Sequence, residues 1–67
     1  MAMLINGNRV LNTRIEWACE VVPGAVFLCD TEQEARLCAA HLGGDVVMQD
    51  VHETEDMEYE MGWAPID

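Results

Sequence analysis

The sequence predicts an α+β domain: a small antiparallel β-sheet of about four to six short strands with one α-helix packed on one face. Three observations predict it. Apolar and polar residues alternate along residues 14–21, the period of a half-buried strand. Two turn dipeptides, Asn6-Gly7 and Pro23-Gly24, separate short apolar runs. A single capped stretch, residues 31–44, has helical spacing.

The elements follow in order. Ala2-Met3-Leu4-Ile5 and Asn8-Arg9-Val10-Leu11 flank Asn6-Gly7, a pair suited to a two-residue hairpin because both turn positions need positive φ. In the next strand Ile15, Trp17, Cys19 and Val21 fall on one face, predicted to be core, and Arg14, Glu16, Ala18 and Glu20 fall on the outer one. Pro23-Gly24 turns the chain into a return strand, Ala25-Val26-Phe27-Leu28-Cys29. Asp30 or Thr31 caps a helix: Thr31-Glu32-Gln33-Glu34 fits a capping box, and its acids favour the helix dipole. Ala35, Cys38, Ala39 and Leu42 form a narrow stripe of mostly small residues that lets the helix lie close to a sheet. Gly43-Gly44 stops the helix, and Val46, Val47, Met48 and Val51 mark a further strand.

Residues 53–67 form an acidic-aromatic segment. Met57, Tyr59, Met61 and Trp63 alternate with Glu58 and Glu60, as in a last edge strand with a charged outer face. The alternative is a tail that orders on binding. The whole of residues 1–67 reads as one small domain. Such a domain buries only about 60% of the surface its unfolded chain exposes, so its core is thin.

Composition excludes several function classes. Thirteen acidic residues against three arginines, with no lysine, give a net charge of −10. That excludes direct binding of nucleic acid through a basic face and a polybasic membrane contact. No serine is present, so no serine nucleophile exists. No apolar run exceeds the five residues from Ala25 to Cys29, too short to span a membrane. Three cysteines cannot pair completely within one chain, and no signal-peptide pattern opens it. A cytoplasmic protein is expected.

The stretch CDTEQEARLCAAHLGGDVVMQDV, residues 29–51, resembles a unit common in small phage-encoded and mobile-element proteins: a strand, a capped helix, a Gly-Gly stop and a second strand. The preceding Arg14-Ile15-Glu16-Trp17-Ala18-Cys19-Glu20 is similar to the opening strand of small phage inhibitors of bacterial RNA polymerase. The resemblance implies a non-enzymatic protein that occupies a surface of a host or defence protein. It implies no particular target.

Candidate partner-binding residues are Glu16, Glu20, Glu53, Glu55, Glu58, Tyr59, Glu60 and Trp63. Alternate carboxylates on a strand lie about 6.5–7 Å apart, comparable with successive phosphates, so rows of them suit a basic nucleic-acid-binding groove. The charge also exceeds the magnitude of about 2–8 that solubility of a small domain requires. The plainer reading is that these acids solvate the domain and blunt its edges. Tyr59 and Trp63 either anchor a partner or complete the domain's own core. Trp17 is assigned to the core, and His52 to a solvated strand end. An alternative is a structural zinc set of Cys19, Cys29, Cys38 and His41, although it lacks a C-x2-C knuckle. No cofactor motif is present, and the negative field opposes a reactive thiolate, so no enzyme is expected. The expected partner is a protein with a basic surface, and a homodimer is compatible with the sequence. Two other readings stay open: an antitoxin-like or assembly subunit docking by an apolar edge strand, and a zinc-stapled module.

Overall fold

The computed structural model describes residues 3–66, so the Ala2 end of the first predicted run lies outside the described residues. Asn6 (φ 52°) and Gly7 (φ 81°) join β1 (Leu4–Ile5) to β2 (Asn8–Arg9). Two positive φ values in succession match the right-handed twist of the paired strands. β3 (Asn12–Val22) is the longest strand, and Pro23-Gly24 returns it into β4 (Ala25–Cys29). Pairing passes from Glu20↔Val26 to Val22↔Ala25, so Val21 is bulged out of the ladder.

The helix α1 (Glu32–Leu42) begins and ends where its caps predict. Thr31 Oγ1 accepts from the Glu34 amide at 3.1 Å. The reciprocal bond differs from a capping box: Glu34 Oε2 accepts from the Asp30 amide, at 3.1 Å, one residue earlier than expected. Gly43 closes the helix in the left-handed region (φ 77°), its amide donating to the Ala39 carbonyl at 2.7 Å.

β5 (Asp45–Glu53) crosses to the far side of β3 and pairs antiparallel with it from Asn12↔Glu53 to Glu20↔Asp45. β6 (Glu58–Glu60) and β7 (Ala64–Pro65) both pair with the outer edge of β5. The acidic-aromatic segment is therefore edge strand, and the sheet order is β4-β3-β5-β6 with β7 also on β5. The result is α+β: a curled antiparallel sheet with one helix packed against it.

The second glycine of the helix stop has a separate role. A Cβ on Gly44 would lie 2.5 Å from the Glu20 carbonyl oxygen and 2.9 Å from Cys19 Sγ. Gly43 ends the helix; Gly44 lets the chain pass tightly under it into β5.

Among the described residues the buried apolar ones are Ala18, Cys19, Ala35, Val47 and Val51, none larger than valine. This corrects the predicted core face. Ile15 is 48% exposed and Trp17 only half-buried, whereas Ala18, from the outer face, is completely buried. The reason is a mismatch of lengths. Eleven helical residues cover about 16 Å, against about 36 Å for the eleven of β3. Ile15 lies opposite Asp50, away from the Cys19 end that meets the helix, and Leu42 at the end of the stripe is 50% exposed. Ala18 is sheltered on its own face by Glu16 and Glu20 along the strand and by Leu28 and Val47 across it.

The molecule is long and thin, 41 × 21 × 20 Å. Its radius of gyration is 13.6 Å, against about 11 Å for a compact chain of this length.

Candidate functional site

Register decides which side chains share a face, because directly opposed residues point the same way. Arg14, Glu16, Ala18 and Glu20 of β3 stand opposite Val51, Gln49, Val47 and Asp45 of β5. On the other edge of β5, Glu58 and Glu60 stand opposite Glu53 and Val51. One sheet face, the one turned away from the helix, thus carries Glu16, Glu20, Asp45, Glu53, Glu58 and Glu60. Arg14 is its sole basic residue among the described residues.

Four of these carboxylates are held in one network. Arg14 donates from Nη1 to Glu53 Oε1 at 2.9 Å, and from Nη2 to Glu58 Oε2 at 2.7 Å and Glu16 Oε2 at 3.1 Å. Gln49, 3% exposed, donates from Nε2 to Glu16 Oε1 at 2.9 Å and Glu60 Oε1 at 2.8 Å. Its Oε1 accepts the Gly62 amide at 3.2 Å, and Asn12 Nδ2 donates to Glu53 Oε2 at 2.8 Å. A buried amide and one guanidinium therefore fix four acids across three strands. The hydrogen bonds that Arg14 donates to Glu58 and Glu16 push its guanidinium further into the charged form. The bond from Arg14 in turn holds the Glu58 carboxyl below the ordinary carboxylate value.

Trp63 joins this face through a break in register. Pairing runs Val51↔Glu60 and then resumes at Met48↔Ala64, so Gly62 and Trp63 together oppose Gln49. Gly62, at φ 106°, makes that bulge. Pro65 shares a face with Val47, and Trp63, two residues earlier, falls on the same acidic side, half-buried. The predicted grouping of Met57, Tyr59, Met61 and Trp63 on one face is corrected accordingly. Strict alternation from Met57 to Trp63 requires a ladder without an extra residue.

The remaining predicted residues separate. Tyr59 lies on the opposite face, paired with His52, and its hydroxyl accepts from Asn8 Nδ2 at 3.2 Å. Glu20 is on the acidic face but distant from the network, with Oε2 accepting from the Gly24 amide at 3.3 Å. Glu55 is in the turn after β5 and lines a hollow of 300 Å³ beside the β1–β2 hairpin with Gly7, Asn8, Arg9 and Leu11. Asp45, Gln49 and Arg14 belong to the face although the sequence singled out none of them as a site residue. Their signal was present: each sits an even number of residues from a predicted acid once the β3–β5 register is known.

His52 is buried, 7% exposed, and not a solvated strand end; its Nδ1 lies 2.8 Å from Thr13 Oγ1. The hairpin that brings Asn8 to Tyr59 shelters this end of the sheet. Arg36 pairs with Glu32 at 2.6 Å along the helix, as its spacing predicts.

The three cysteines are free thiols. Burial, followed by the neighbouring Cys38 thiol, raises Cys19 and Cys29 above their ordinary values. His41 is exposed in the last helical turn, and no group of three or more His, Cys, Asp or Glu among the described residues is placed to hold a metal ion. The Cys19, Cys29, Cys38 and His41 set is thus not assembled as a zinc site. A shallow hollow of 540 Å³ lies between α1 and the start of β5. Its charged lining is one residue of each sign, Arg36 and Asp45. No helix among the described residues is long and apolar enough to cross a membrane.

Fold and site together define a small α+β domain that presents an ordered acidic sheet face with one tryptophan in it. No family model matches the chain, and no curated protein or solved structure matches it either.

Proposed function

We propose that this protein is a non-enzymatic inhibitor or adaptor that docks its acidic sheet face on the basic, nucleic-acid-binding surface of another protein. The observation that carries the reading is the Arg14–Gln49 network, which holds Glu16, Glu53, Glu58 and Glu60 in place before any partner arrives. Pre-ordered carboxylates lose little side-chain entropy on engaging Arg and Lys clusters. Trp63 supplies the apolar anchor that a purely electrostatic face lacks. Occlusion of the partner's groove then denies it DNA or RNA. A counter-defence or host-takeover role of phage type fits this description, supported only by the resemblance of residues 14–20 and 29–51.

The test is a pull-down of the tagged chain from nuclease-treated host lysate, eluted by a salt gradient. A basic nucleic-acid-binding protein released at moderate salt supports the proposal. The double reversal Glu58→Lys/Glu60→Lys should then weaken binding at least tenfold, while Glu55→Lys/Asp56→Lys, with the same change in net charge off the face, should change it far less. Equal losses for the two pairs would mean that net charge, not this face, drives association.

The reading as a subunit docking through its C-terminal strand predicts loss of function on truncation after Val51. That truncation removes β6 and β7, which pair with the central strand β5. It therefore tests folding rather than binding.

A further inference from the structure

We infer that the free edge of β4 pairs antiparallel with β4 of a second copy of this chain. β4 is the terminal strand of the sheet on the side opposite the acidic β6 edge. Its five residues, Ala25 to Cys29, carry no charge and no proline, the devices that ordinarily blunt an edge. Phe27 is 51% exposed and Leu28 71% exposed, on opposite faces of the strand. A chain of net charge −10 has left a five-residue strand without a single charge open at the edge of its sheet.

Three observations point to a second copy as the occupant. First, pairing about Phe27 is self-complementary. It sets Phe27 against Phe27 of the second copy, Val26 against Leu28 and Ala25 against Cys29, so every position meets an apolar side chain and a two-fold axis closes the interface. Second, the core is short of material: among the described residues no buried apolar side chain exceeds valine in size, whereas Phe27 and Leu28 remain outside it. Third, the surface is too large for a monomer. The accessible area is 4778 Å², about 500 Å² more than the roughly 4250 Å² that scaling gives for a 7.5 kDa monomer. That excess is of the order that one partner contributes to a modest interface. Pairing of this kind would join the two sheets edge to edge and make the acidic faces continuous across the axis. It does not depend on the proposed function, since β4 contributes no carboxylate.

The opposing force is repulsion between two strongly acidic chains, which salt screens. Sedimentation equilibrium of the full chain should therefore give a mass of two chains at high concentration, falling to one on dilution, with the dimer tightening as salt rises. Leu28→Lys and Phe27→Lys should each weaken the dimer at least tenfold. Because a lysine there could also disturb the fold, amide hydrogen exchange of the unmodified protein provides a second readout. The alternate β4 amides not bonded to β3 should become protected as protein concentration rises. A single-chain mass at every concentration, a dimer that weakens with salt, a mass beyond two chains, or β4 exchange independent of concentration would each overturn the inference.

Discussion

Arg14 on β3 reaches across β5 and donates to Glu58 on β6, Nη2 to Oε2, at 2.7 Å. The same guanidinium binds Glu16 and Glu53, so one cation ties together the two ends of a three-strand face. Replacing it with methionine keeps much of the apolar stem but leaves three like charges facing one another. The melting temperature should drop, and the drop should shrink at high salt. The pH dependence carries the signature. Glu58 is held below 4.5, so its contribution is full above that value and is lost as pH falls through the depressed one. The stability gap between the natural chain and Arg14→Met should thus close on acidification. A gap that is constant from neutral to acid pH would show that Arg14 acts only through packing.

Gln49 offers a test that involves no change of charge. Its buried amide donates to Glu16 and Glu60 and accepts from Gly62. Gln49→Ala removes all three bonds and should cost about 2 kcal/mol in chemical denaturation. It should also free the Glu60 side chain, visible as loss of its fixed NMR rotamer. An unchanged rotamer would mean that the face is ordered by the backbone alone.

The adjacent glycines 43 and 44 should respond differently to alanine. Gly43 has a left-handed φ of 77° but open space at its Cβ position, so Gly43→Ala should cost about 1 kcal/mol. At Gly44 the new methyl would meet a backbone carbonyl at 2.5 Å, and Gly44→Ala should cost about 3 kcal/mol or prevent folding. Denaturant melts that rank the pair the other way would refute the close approach of β5 to Glu20.

Alkaline pH probes the thiols. Cys19 and Cys29 are raised above 9.0, chiefly by burial, so the folded state holds their protons more tightly than the unfolded chain does. Their contribution is complete below pH 9.0 and is lost as pH climbs through the raised values. Melts under reducing conditions should show stability falling above that pH. The fall should be smaller in Cys19→Ala. An identical slope in the variant would exclude the Cys19 thiol as its cause.

Much of the local structure was legible because short-range chemistry determines it. Asn6-Gly7 selects a hairpin whose turn residues both have positive φ, Thr31 and Gly43 mark the helix ends, and both were readable from residue type. Alternation in β3 also placed Arg14, Glu16 and Glu20 correctly on one face. The burial of that strand was less legible, since Ala18 and Ile15 exchanged their expected environments. Periodicity reports which residues share a side; it does not report how far a short helix extends over a long sheet.

The sequence by itself determined the fold class, the acidic outer side of β3 and the helix ends, all consequences of backbone preferences and of a two-residue period. Only the tertiary structure decided that β5 lies between β3 and β6, and so that Glu16, Glu53, Glu58 and Glu60 meet around Arg14 and Gln49. It also moved Trp63 onto that face, through one extra residue at Gly62, while Tyr59, before that residue, stays on the opposite side. The physical reason is register. A single inserted residue reverses every side chain beyond it, and which residue is inserted depends on the partner strand, a long-range fact that no local pattern contains.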